Sequence, residues 1–235
     1  MRRVSALVVY LLHDFAGTWQ AFIPPALALT FYGIAFQYGA TPAYFATVTA
    51  LALVGIMVIT VLLLSGRLNR AASYPLVARL QRRWELLLAL VLAALLVVLT
   101  LALLICILAF VQNIVVLGVE QWLLLLLTWL LLLICAGAFA LLLTSLTSRG
   151  GSHIVFYALV ALLAAIYDYS DELTRGNAGW VVQLWQRVLA PFGDVLDPFT
   201  SPNLLRANLL VLGYALLFFI LATWLFEGKD LLWSD

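Results

Sequence analysis

The sequence predicts an all-α, polytopic membrane protein with six transmembrane helices, and three observations carry that expectation. Only 10% of the 235 residues are charged, whereas soluble chains carry about 25%. Hydrophobic residues make up 66% of the chain, and the mean hydropathy is +1.14. The apolar residues also fall in runs long enough to cross a hydrocarbon core of about 30 Å, which takes about 20 helical residues. A chain this poor in charge cannot coat a water-facing surface.

Six segments qualify as spans: Gly17–Phe36, Tyr44–Leu64, Leu86–Val111, Gln121–Leu143, Ile154–Tyr167 and Leu209–Phe226. The first contains Pro24 and Pro25, which are expected to kink or restart its helix. Upstream, Val4, Val8, Leu11, Leu12, Phe15 and Trp19 recur at helical spacing, with Arg2, Arg3 and Asp14 elsewhere on the wheel. Residues 1–19 therefore read as an amphipathic helix in the interface plane; a plain extension of the first span is the alternative. Its basic start and apolar stretch partly match a secretory signal, but His13, Asp14 and Trp19 stand where small residues would mark a cleavage site. The segment is expected to be retained.

Charge placement gives the orientation. With the N-terminus inside and six spans, nine basic residues fall on the inner side: Arg2, Arg3, Arg67, Arg70, Arg79, Arg82, Arg83, Arg149 and Lys229. Arg175, Arg187 and Arg206 fall outside. That asymmetry places both termini in the cytoplasm by the positive-inside rule, as expected of a multi-pass plasma-membrane protein. The net charge of +1 gives no reason to expect a nucleic-acid partner. Anionic lipid attracts inner basic residues by about 1 kcal/mol each.

Several chemistries lack their residues. No GxxxxGK[ST] loop is present to cradle ATP phosphates, and the two histidines, His13 and His153, lie at span flanks rather than as axial haem ligands within the bundle. Glu85, Glu120 and Asp168 fall at span ends, so no mid-membrane charge marks a proton or ion path. Cys106 and Cys135 sit in apolar runs and read as small packed thiols. No catalytic dyad or metal cluster stands within the spans, and neither enzyme activity nor a cofactor is expected of this chain.

One stretch is not explained by topology alone. "RLNRAASYPLVARLQRR", Arg67 to Arg83, gathers five arginines and no acid around a Tyr-Pro. Together with the run that follows it, "SGRLNRAASYPLVARLQRRWELLLALVLAALL" resembles the cytoplasmic loop between spans two and three of ABC-2-type permeases, the membrane subunits of one class of ABC exporter. Tyr74, Pro75, Ala78 and Arg79 match that family's proline, small residue and arginine before span three. The acidic and Gly-Thr run usual before it is replaced by Arg67, Asn69, Arg70, Ala71 and Ala72. A lysine common at the start of span three is also absent, although Arg82 and Arg83 lie nearby. "LLLTSLTSRGGSHIVFYALV", "WQRVLAPFGDVLDPFTSPNLL" and "LATWLFEGKDL" are similar, in order, to the family's end of span four, its stretch before span six and its closing pattern. A haem-exporter-like permease, also of six spans, fits the ending less well.

The resemblance implies a single transmembrane domain over residues 1–235, with residues 66–84 as the segment that couples it to a separate ABC ATPase carrying ATP and magnesium. It also implies a second permease copy, identical or related, around a central path. Pro75 suits the first turn of a helix; Leu76 and Leu80 would share a face, and Arg79, Arg82 and Arg83 would line an adjacent one, able to meet carboxylates bidentately. In the outer segment, residues 170–206, Trp180 and Trp185 head a helical pattern ended by Pro191, expected as a short outer helix over the exit path or as an interfacial anchor. A non-transporting membrane scaffold or assembly subunit shares the spans and charge bias and stays open as the alternative.

Overall fold

The computed structural model describes residues 2–68, 83–144, 146–147 and 190–227, and they are all-helical, without a strand. The elements are α1 (Arg2–Ala16), a 3₁₀ turn at Trp19–Phe22, α2 (Ile23–Ala35), α3 (Pro42–Leu68), α4 (Arg83–Val111), α5 (Val119–Leu142) and α6 (Leu204–Glu227). Residues 190–196 form a further helical turn pair ahead of α6. Apolar runs take this form because hydrocarbon offers no water to backbone N–H and C=O groups, and a helix satisfies them internally.

Helices α3, α4, α5 and α6 are each long and apolar enough to cross a membrane, and the bent pair Arg3–Ala16 plus Trp19–Ala35 brings the number to five if it counts as one span. Four of the expected spans thus correspond to α3 through α6. The expected span Ile154–Tyr167 lies outside the described residues.

The first expected span is corrected in form. Its helical part is the 13-residue α2, about 20 Å long at 1.5 Å per residue, and a 90° break separates it from α1. Thr18 makes the break: its backbone is extended (φ −124°, ψ 155°) and its Oγ1 donates to the Phe15 carbonyl at 2.7 Å. Pro24 and Pro25 lie in the first turn of α2, where a missing N–H costs no helical bond, so the expected restart is found there.

The apolar stripe of α1 is also partly reassigned. Leu7, Val8, Leu11 and Phe15 are buried and α1 packs across α4, so this face is covered by the chain's own bundle. Trp19, expected on the same stripe, falls beyond the break and is 73% exposed. An amphipathic pattern specifies a covered face without saying whether lipid or protein covers it.

Two ends of the bundle can now be named. At the apical end α2 finishes, α3 begins, α4 finishes and α5 begins. There Phe36 packs on Phe45 (ring centroids 5.1 Å apart), which meets Trp122 at 5.9 Å and Trp129 at 6.1 Å. The Tyr32 hydroxyl donates to Gln112 Oε1 at 2.8 Å, and the Ala40 N–H to the Ile114 carbonyl at 3.0 Å. The turns close through left-handed backbone at Gly39 (φ 83°) and Asn113 (φ 51°), residue types that tolerate it. At the basal end α3 finishes and α4 begins.

Helix α5 runs parallel to α3 and antiparallel to α4, and at Gly137 side chains from both pack against its backbone. A Cβ there would stand 2.5 Å from Met57 Cε on α3 and 3.1 Å from Val91 Cγ1 on α4. Lipid tails are as apolar as leucine, so helices in a membrane associate through close packing, which small residues permit. Replacing Gly137 by leucine is expected to destabilise the bundle by about 1–3 kcal/mol through overpacking. A lowered thermal midpoint in detergent would show it, and a Met57→Ala change, which makes room, is expected to recover part of the loss.

Candidate functional site

The basal end is the candidate site, because the loop that resembles a coupling segment leaves and re-enters the bundle there. Tyr74, Pro75, Leu76, Ala78, Arg79 and Arg82 lie outside the described residues, as do Trp180 and Trp185 of the outer segment. Arg83 is the first residue of α4. What is described is the frame around the loop.

Arg67, one residue before the end of α3, makes a two-pronged ion pair with Asp14 of α1. Its Nε donates to Asp14 Oδ2 at 2.6 Å and its Nη2 to Oδ1 at 2.9 Å. Fork-to-fork geometry of this kind fixes orientation as well as distance. The Arg67 side chain is 11% exposed and that of Asp14 40% exposed, so the pair stands between a solvated surface bridge, worth about 0–1 kcal/mol, and a buried one. It joins residues 53 apart in sequence. The N-terminal helix is thereby tied to the point where the loop begins.

The other root of the loop is α4, on which α1 packs. Glu85 lies in the first turn of α4, where a carboxylate complements the positive end of the helix dipole. Its Oε2 is buried without a hydrogen-bond partner. One short helix therefore bears on both helices that flank the loop, by charge at the end of α3 and by packing on α4. Beside them, α5 ends in a hydroxyl turn: Thr144 Oγ1 and Thr147 Oγ1 both donate to the Leu141 carbonyl, at 2.7 and 2.6 Å. These bonds satisfy a carbonyl that the end of the helix leaves without a partner.

Between the two ends the described interior is apolar. Its buried polar residues are threonines and one serine, and Thr60, Thr100, Thr128 and Thr223 turn their hydroxyls back on their own helices. Glu120, like Glu85, is in the first turn of its helix, as the sequence reading placed both. Cys106 and Cys135 are free and buried, in keeping with packed thiols. Thr49 Oγ1 and Trp129 Nε1 are buried without hydrogen-bond partners.

The apical end differs from expectation at Pro191. Residues 190–196 are helical and include Pro191, whose fixed geometry suits a first turn; the helix expected before it lies outside the described residues. Thr47 Oγ1 donates to the Leu196 carbonyl at 3.1 Å, which ties this stretch to the start of α3. The last three residues of the expected outer segment already belong to α6. No known protein family, curated protein or solved structure matches the chain.

The ion pair at the loop root generates a double-mutant test. Asp14→Ala and Arg67→Ala are each expected to lower the thermal midpoint, and the double variant to lose less than their sum, with a coupling of about 1 kcal/mol. Exchange of the two residues, Asp14→Arg with Arg67→Asp, is expected to restore part of it. Strict additivity would show that the contact contributes nothing.

Proposed function

We propose that the chain is the membrane-spanning permease subunit of an ABC exporter of the ABC-2 type, driven by a separate ATPase that docks on residues 66–84. The observation that carries this reading is the basic Tyr-Pro loop, Arg67 to Arg83, between two helices that α1 contacts, α3 by an ion pair and α4 by packing. A force applied there would pass directly into α3 and α4, the two longest helices of the bundle. The apolar interior supports an external energy source, because ion-coupled transporters place ionisable groups at membrane depth.

Six spans, with both termini in the cytoplasm, belong to this proposal. The described chain supports the odd crossing. Residue 147 follows the basal end of α5, while residues 190–196 are bonded to the apical start of α3. In this reading the return is made by Ile154–Tyr167, and the bent α1–α2 pair contributes the first crossing. The basal end then faces the cytoplasm of a plasma-membrane protein, and the apical end, with Trp180 and Trp185 nearby in sequence, faces out.

A permease of this kind works as half of a path, paired with a second copy, identical or related. It changes between inward- and outward-facing states only insofar as the ATPase binds the two states differently. Arg79, Arg82 and Arg83 are the residues placed to make that distinction, since guanidinium groups recognise carboxylates bidentately.

A pull-down from mild detergent tests the reading. The wild type is expected to bring down a nucleotide-binding subunit, and an Arg79→Glu, Arg82→Glu, Arg83→Glu variant to lose it while keeping its thermal midpoint. Failure of the wild type to retain any ATPase would turn the assignment toward a membrane scaffold.

A further inference from the structure

At the apical end, residues 190–196 and the first turns of α6 border a half-open cleft of about 350 Å³ lined by Ala190, Pro191, Asp194, Asn203, Arg206, Ala207 and Leu210. That volume lies in the range of small-ligand pockets, about 300–1,000 Å³. Its lining carries one carboxylate and one guanidinium. Among the described residues neither makes an ion pair, the one salt bridge being Asp14 with Arg67. Two opposite charges that share a cavity without meeting suit a ligand that carries both signs.

The surface beneath the pocket narrows the choice. Asn203, Arg206, Leu210, Leu217, Leu221 and Trp224 follow helical spacing on one face of α6, so a polar first turn is succeeded by an apolar stripe. Leu217 is 55% exposed and Trp224 68% exposed. From Leu210 to Trp224 the stripe runs roughly 21 Å. Gly213 lies beside it, and a Cβ there would meet nothing within 4 Å, which leaves the stripe notched. Only 22% of the apolar window of α6 is buried, against 50% for α3 and for α5. Polar contacts above an open apolar strip have the shape of a headgroup above its acyl chains.

We infer that this pocket binds a zwitterionic phospholipid with a primary ammonium, its phosphate on Arg206 and Asn203, its ammonium on Asp194, and a chain along Leu210, Leu217 and Leu221. Arg206 presents the fork that pairs with phosphate oxygens. A primary ammonium donates charge-assisted hydrogen bonds to a carboxylate, whereas a quaternary one is recognised by aromatic cages, and no described lining residue is aromatic. An anionic glycerol headgroup would leave Asp194 facing like charge or an uncharged hydroxyl. The inference is independent of the transport reading and holds for a scaffold equally.

Native mass spectrometry of the full chain in detergent, titrated with phosphatidylethanolamine, phosphatidylcholine and phosphatidylglycerol of matched acyl chains, tests it. Phosphatidylethanolamine is expected to bind most tightly. Arg206→Ala and Asp194→Asn are each expected to weaken it roughly tenfold, the loss of about one charge-assisted hydrogen bond. Asp194→Asn is expected to remove the preference over phosphatidylglycerol as well. Gly213→Trp, which fills the notch and leaves the headgroup residues alone, is expected to weaken all three lipids alike. Equal binding of the three lipids to the wild type, or a preference for phosphatidylglycerol, overturns the inference without recourse to any variant. Retained selectivity in both headgroup variants overturns it too.

Discussion

The absence of a side chain at Gly137 lets three helices share one crossing. Hydrocarbon gives apolar faces no reason to leave it, so the bundle relies on contact density, and a helix carrying a leucine at this position would stand off from both neighbours. Met57 and Val91 fill the space instead, one from α3 and one from α4. The aromatic cluster around Phe45 continues the same α3–α5 contact toward the apical end. Interiors packed to this density shift as blocks more readily than they deform. Displacement of the basal ends of α3 and α4 therefore carries α5 with it.

Among the described residues charge is confined to the two ends of this block, and the cost of ions in hydrocarbon accounts for that. Basally, Asp14 and Arg67 neutralise one another across a helix junction. Apically, Asp194 and Arg206 share a cavity without pairing. The first arrangement holds the protein to itself, and the second leaves charge available to something else. The same two residue types thus stand paired at one end and share a cleft at the other, where the inferred headgroup would sit.

Much of the architecture was legible in the chain because solvent imposes it. Runs such as Leu86–Val111 have no alternative to a helix in hydrocarbon, and α4 ends at Val111 as read. The restart at Pro24 and the separate N-terminal element were legible too, since proline geometry and helical periodicity are local properties. What escaped was non-local. Arg67 was read as a topology signal and Asp14 as a residue off the apolar stripe; nothing in a 53-residue separation announces that they meet. The face of α1 was recognised as apolar, but its partner, α4, is a tertiary fact. Arg206 was counted only as an outer charge, because a cavity has no sequence period. The coupling residues Tyr74 through Arg82, and Trp180 with Trp185, rest on resemblance and pattern.

The order in which the chain is made gives the sparsely covered α6 a further meaning. The three helices that meet at Gly137 are complete by Leu142. At about 5–20 residues per second, they are finished several seconds before α6 leaves the ribosome, while residues 143–235 are still being made. The residues that meet at Gly137 are all present at that point, and α1 is already available to lie across α4. Helix α6 then joins a finished surface, chiefly along α5, and leaves most of its own circumference uncovered. On this order of synthesis a chain ending after α5 already holds the Gly137 crossing, and α6 is the last described helix to join it.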